Sequence, residues 1–158
     1  MGNWRTVEIN GRIDKANAAS LRQYLVDARL ARSDDEKWDV FPLCVGEGFA
    51  GLWDWVQPNG KIKAIGNLAE RDFDNDDIEK ALITIAKRFP TLVLTLHSGD
   101  DYESRKCTAT FLVDNGKCVR CKPKKKKIRA ITMRTMIRQE RRYYKSYPCV
   151  VYGEIKGF

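Results

Sequence analysis

The chain has 158 residues, 43% of them apolar and 32% charged, with a formal net charge of +8. That length suffices for one domain with a real core. No apolar run reaches the roughly eighteen residues that a membrane helix needs, and the polar opening lacks the apolar stretch of a secretory signal. These features imply a cytoplasmic protein that makes no use of membrane. Its five cysteines, an odd number without a secretory signal, imply reduced thiols rather than a disulfide framework.

The opening MGNWRT fits the loose pattern for N-myristoylation at Gly2, but the better reading is that Trp4 to Ile9 begins an edge strand. WRTVEINGR reads as that strand, with Val7 and Ile9 on one face. Asp14 is a good N-cap for a helix carrying Ala18, Leu21, Leu25 and Ala28 at helical spacing. Residues 31–60 form an irregular excursion broken by Pro42, Gly46, Gly48, Gly51 and Pro58. Trp38, Trp53 and Trp55 lie there and are expected to pack. KIKAIGN, from Lys61, reads as the next strand.

DNDDIEKALITIAKRF has the clearest signature of any segment. Asp74 or Asn75 caps it, acids fill its first turn and Lys87 and Arg88 its last, as the helix dipole favours. Ile78, Ala81, Leu82, Ile85 and Phe89 make its apolar stripe. TLVLTLH follows as a strand with Leu92, Leu94 and Leu96 on one face. CTATFLV and CVRCK flank Asn115-Gly116, the strongest short hairpin signal. A mixed or antiparallel sheet with helices on one face follows, an α+β arrangement of the ferredoxin-like kind.

The charge is concentrated in one place. Lys122 to Lys145 holds eleven Lys and Arg against one acid, Glu140, while residues 1–121 carry 17 basic and 19 acidic side chains. A solvated helix face usually mixes both signs, so this segment reads as a binding arm. Its candidate contacts are Lys122, Lys124, Lys125, Lys126, Lys127, Arg129, Arg134, Arg138, Arg141, Arg142, Tyr143, Tyr144 and Lys145. A helix over 128–145 would set Ile131 and Ile137 toward the core and the arginines mainly on one side. Guanidinium groups beside tyrosines suit phosphates and unpaired bases. Residues 146–158, SYPCVVYGEIKGF, read as a terminal strand returning to the domain.

The GNW before the first strand and the segment FPTLVLTLHSGDDYESRKCTATFLVDNGKCV resemble the YubB-type ferredoxin-like domains of bacterial plasmids, phages and other mobile elements. The resemblance spans about residues 3–121. The Trp-rich excursion and the basic arm depart from that pattern. It implies a fold and a mobile-element origin in a bacterial host, and it brings no catalytic residues.

Other constellations have simpler explanations. Cys118 and Cys121 form C-x-x-C, yet three residues is an odd step on a strand. Cys118 should face Val113, with Cys107 on the same face and Cys121 on the other. A zinc site with Cys149 or His97 is therefore not expected, and no cofactor is. His97 and Ser98 sit in a triad-like HSGDD but point to opposite faces. DFDNDDIE fails as a calcium loop at Asp77 and Ile83, where glycine and a bidentate acid belong. The chain thus reads as a non-catalytic binder of DNA, RNA or a nucleoprotein complex, and more sharply as an anti-CRISPR-like inhibitor of a host defence nuclease. Two alternatives are a protein–protein module whose arm docks on an acidic partner and a nuclear-targeted protein with PKKKKIR as its signal.

Overall fold

Strand β1 (Arg5–Arg12) alternates as a half-buried strand should. Val7 and Ile9 are at most 1% exposed, while Asn10 and Arg12 lie open to solvent. The computed structural model describes residues 5–29, 31–32, 34–43, 46–47, 56–68, 74–99, 106–123, 128, 134 and 137–138. After β1 come helix α1 (Lys15–Arg29), a 3-10 segment (Glu36–Leu43) and a two-residue strand β2 (Gly46–Glu47). Then follow β3 (Lys61–Leu68), helix α2 (Asn75–Arg88), β4 (Val93–Gly99), β5 (Cys107–Asp114) and β6 (Lys117–Cys121). The class is α+β: the strands make one antiparallel sheet in the order β2-β3-β1-β4-β5-β6.

The first strand is not an edge. It pairs with β3 on one side and with β4 on the other. Helix α2 connects those two strands, so the chain passes over β1 between them. The sequence of β1 does not show this, because an alternating strand reads the same at an edge as in the middle of a sheet with one open face.

Residues opposite one another across the sheet share a face. Val7–Ser98–Ala109, Ile9–Leu96–Phe111 and Gly11–Leu94–Val113 form three such rows. Apart from Gly11, all of these residues are at most 1% exposed. Apart from Ser98, they join a single core cluster with Ala18, Leu21, Leu25 and Ala28 of α1 and Ile78, Ala81, Leu82, Ile85 and Ala86 of α2. Both helices therefore cover this face, as the sequence predicts. The excursion is only partly irregular: Val40 and Leu43 of the 3-10 segment enter the same core, and Trp38 is half-buried. Trp53 and Trp55 lie outside the described residues.

Local chemistry sets the element ends. Asp74 caps α2 by accepting from the Asp77 amide at 3.0 Å, and the Asp77 carboxylate accepts from the Asp74 amide at 2.9 Å. This reciprocal capping box satisfies two amides with no intrahelical partner. Asp74 and Asp77 of DFDNDDIE thus have the capping role that the sequence assigns them. At the other end the Phe89 amide bonds the Ile85 carbonyl at 2.9 Å, and Pro90 follows. Before β3, Gly60 has φ +89° and its carbonyl accepts from the Ile13 amide at 2.8 Å. A Cβ there would lie 2.0 Å from the Ile13 carbonyl oxygen, so only glycine fits both the dihedral and the space.

Asp14 fixes the start of α1 to the start of β4. Its carboxylate accepts from the Thr91 hydroxyl, and from the Asn17 side-chain amide at 2.8 and 2.9 Å. Those bonds, Thr91 first, hold its pKa below the ordinary 3.8. A lowered carboxyl stabilises the fold above its unfolded pKa and loses that contribution as pH falls through the folded value. Asp14→Asn should therefore flatten the decline of melting temperature below about pH 4; an acid profile identical to the parent's would remove Asp14 from the linkage. In the core, Leu82→Ala should cost about 2–5 kcal/mol in chemical denaturation, since Leu82 is 0% exposed in the middle of the α2 stripe.

Candidate nucleic-acid interface

The basic segment leaves the sheet from β6. The β5–β6 hairpin turns at Asn115 (φ +52°) and Gly116 (φ +75°), the paired positive dihedrals of a two-residue type I′ turn. Leu112 then opposes Val119, and Val113 opposes Cys118. Lys122 and Pro123 follow, both exposed. Ile128 is 0% exposed, so the chain contributes to a buried region within a few residues of leaving the sheet.

Farther along, Arg134, Ile137 and Arg138 are helical. Arg134 and Arg138 are exposed and four residues apart, which sets them on one side of a helix. Ile137 does not take the core position expected of it: it is 41% exposed. Helical spacing alone could not choose which isoleucine anchors the segment; of its two described isoleucines, Ile128 is the buried one. Lys124, Lys125, Lys126, Lys127, Arg129, Ile131, Arg141, Arg142, Tyr143, Tyr144 and Lys145 lie outside the described residues, as does the expected terminal strand over 146–158.

Several cations elsewhere are already engaged. Arg120 of β6 lies 2.8 Å from Asp76 and 3.5 Å from Glu79, with its guanidinium 5.7 Å from the Phe111 ring centroid. It ties β6 to α2 on the helix side of the sheet. Lys80 meets Asp39 at 3.3 Å and Lys37 meets Asp27 at 3.5 Å, tying the 3-10 segment to both helices. Exposed pairs of this kind contribute only about 0–1 kcal/mol each. Their consequence here is that they neutralise the helix layer locally.

The opposite sheet face carries cations that the sequence reading passed over. Arg12, Lys61, Lys63 and Lys117 are exposed there. The signal was available in the K-I-K run, where Ile62 is 1% exposed between two exposed lysines. A period of two around a buried isoleucine is how a strand places cations on its solvent face.

His97 is on this second face and Ser98 on the first, as alternation requires. His97 is 7% exposed, and its Nδ1 lies 2.9 Å from the Thr110 hydroxyl. The two residues oppose one another in register. No metal-holding cluster of His, Cys, Asp and Glu occurs among the described residues.

Cys107 corrects the expected arrangement of thiols. The register shifts between Ser98 and Gly99, so that Gly99 opposes Cys107. The Cys107 sulfur lies 3.3 Å from the Ala109 carbonyl and 3.6 Å from the Thr110 hydroxyl. It therefore sits beside a residue of the second face, not with Cys118. A bulge displaces alternation by one residue, and the run CTATFLV contains no glycine or proline to announce it. Cys107, Cys118 and Cys121 are free thiols.

No family model matches the chain, and neither a curated protein nor a solved structure does.

Cys118 has its thiol pKa pushed up to about 11 from 9.0, by burial first and then by Glu79 and Cys121. Only the thiolate is nucleophilic. A raised thiol pKa leaves stability whole below the unfolded value of 9.0 and lowers it as pH climbs toward about 11. Iodoacetamide at mildly alkaline pH should label Cys118 much more slowly in the folded protein than in denaturant, read by peptide mass spectrometry. Equal rates in the two states would contradict the burial of the thiol.

Proposed function

We propose that the chain is a non-catalytic accessory protein of a phage or other mobile element, binding nucleic acid or a nucleoprotein complex through its basic arm. The observation that carries this reading is the charge of residues 122–145, eleven bases against one acid. Lys122, Arg134 and Arg138 are exposed, and no described acid is paired with them. A charge of one sign held together without compensation repels itself, so its retention is best explained by an anionic partner.

The strand order supports the ferredoxin-like part of the reading. Taken alone, β2-β3-β1-β4 with α1 and α2 as crossovers follows a β-α-β-β-α-β path, and β5-β6 extends the sheet beyond β4. The mobile-element assignment comes from the sequence resemblance to YubB-type domains. Inhibition of a host defence nuclease, as an anti-CRISPR protein acts, is the sharper form: a small basic protein would occupy the surface along which such an enzyme holds its nucleic acid, or the nucleic acid itself.

The test is a fluorescence-anisotropy titration of DNA and RNA oligonucleotides at several salt concentrations. With about four to six phosphate contacts, the log–log slope should be about −3 to −5. Arg138→Gln with Arg142→Gln should flatten it by about two contacts' worth and weaken all sequences alike. Tyr143→Ala or Tyr144→Ala should weaken single strands by about 1–3 kcal/mol if a base stacks there. No binding even at low salt would leave a protein partner as the arm's target, sought by pull-down after nuclease treatment.

A further inference from the structure

The sheet face opposite the helices is buried at one end only. Thr6, His97 and Thr110 stand there at 1%, 7% and 1% exposure. Toward the other end the cross-strand pair Leu112 and Val119 is 43% and 56% exposed. Both helices and the 3-10 segment pack on the first face, so none of them accounts for the burial of these three residues. His97 Nδ1 lies 2.9 Å from the Thr110 hydroxyl. The two polar tips thus bond one another, which leaves a threonine methyl and imidazole carbons to meet an apolar side chain.

The register shows where the chain passes. Glu8, His97, Thr110 and Cys121 oppose one another in one row across β1, β4, β5 and β6. Cys121 is the last residue of β6, so the chain leaves the sheet at the buried end, on the row that holds His97. Seven positions later Ile128 is 0% exposed. It does not belong to the core cluster that holds the buried aliphatic residues of the helices, the 3-10 segment and the inner sheet face. A buried isoleucine outside that cluster needs a second place to pack. Distance permits the match: the row runs from β6 to β1 in three strand spacings of about 4.8 Å, roughly 14 Å. Seven residues reach at most about 25 Å.

We infer that Ile128 seats on the Thr6–His97–Thr110 end of this face and fastens the basic arm there. The occupant of the buried end is thus the chain's own segment beginning at Ile128, and the exit point at Cys121 places it. Arg134 and Arg138, exposed and four residues apart, then follow a fixed point rather than a free end. An arm held at its root loses less conformational freedom on binding than a free tail does. Ile128 is a positioning residue in that sense, since it carries no charge and touches no phosphate. The seating is independent of what the arm binds, while its effect on affinity rests on the nucleic-acid reading.

The experiment uses the full chain with labelled isoleucine methyls. His97 is the only histidine, so its ring protons give a single assignable probe. Nuclear Overhauser contacts should join the Ile128 methyls to His97, Thr6 or Thr110. Ile128 methyls with contacts to none of the three, wherever else they pack, would overturn the seating. This reading needs no variant and stands even if a substitution unfolds the chain. Ile128→Ala should raise the rate at which diethylpyrocarbonate modifies His97 several-fold, and Ile128→Val should restore the parental rate. Ile137→Ala, at an exposed residue of the same segment, should leave it unchanged. A parental rate in Ile128→Ala would overturn Ile128 as the cover of His97. Ile128→Ala should also weaken binding of a labelled oligothymidine several-fold although no charge is removed, with Ile128→Val again restoring it. Parental affinity there would overturn the positioning role and leave the arm reading standing. No binding of the oligothymidine by the parent would overturn the arm reading and the positioning role together, while the Overhauser contacts still decide the seating.

Discussion

The pairing of β1 with a strand on each side is the constraint on which the rest of the structure depends. Its register with β3 and β4 brings Ile9, Leu96 and Phe111 into one row, with Val7 and Leu94 in the rows beside it. Burial of those side chains under α1 and α2 is the main stabilising term, at about 25 cal/mol per Å² of apolar surface removed from water. A one-residue slip of β1 would turn Val7 and Ile9 to solvent and Glu8 and Asn10 toward the helices. The hydrophobic pattern therefore fixes the register, and the register fixes which polar residues stand together on the other face.

That second face shows how the two sides of one sheet divide the charge. On the helix side, Asp27, Asp39, Asp76 and Glu79 meet Lys37, Lys80 and Arg120, and the ion pairs fasten the 3-10 segment and β6 to the helices. On the other side, Arg12 opposes Lys61, and the exposed apolar pair is aliphatic. The ion pairs thus neutralise charge locally in the helix layer, and the concentrated positive charge of the chain lies after β6. The proposed binding function uses that segment, which leaves the sheet through a hairpin whose turn holds its register through two positive dihedrals.

Much of this was legible in local sequence. Helix α2 carries its start, stop and inward face within a single run, because capping, dipole preference and a 3.6-residue stripe are all short-range effects. The β5–β6 hairpin is equally local, since Asn-Gly forces the turn and the turn forces Val113 opposite Cys118. The capping acids Asp74 and Asp77 and the opposed directions of His97 and Ser98 follow from the same rules. In the candidate interface, the arm was legible as a composition, and the exposure of Lys122, Arg134 and Arg138 agrees with it. Ile137 was misplaced because a helix of mixed apolar and basic residues offers more than one inward face.

By itself the sequence determined both helices, the strands β1 and β3 to β6, their main apolar sides and the concentration of charge after β6, since these depend on neighbours a few residues apart. Tertiary structure alone decided that β1 is central rather than an edge, because that depends on where α2 carries the chain between β3 and β4. It decided that Cys107 leaves its expected face, because the register shift arises from pairing with β4, far away in the chain. It also decided that Arg12 of the first strand stands beside Lys61 and Lys63 of the third. Those residues are some fifty positions apart, and hydrogen bonding between two strands, not chain proximity, makes them one surface.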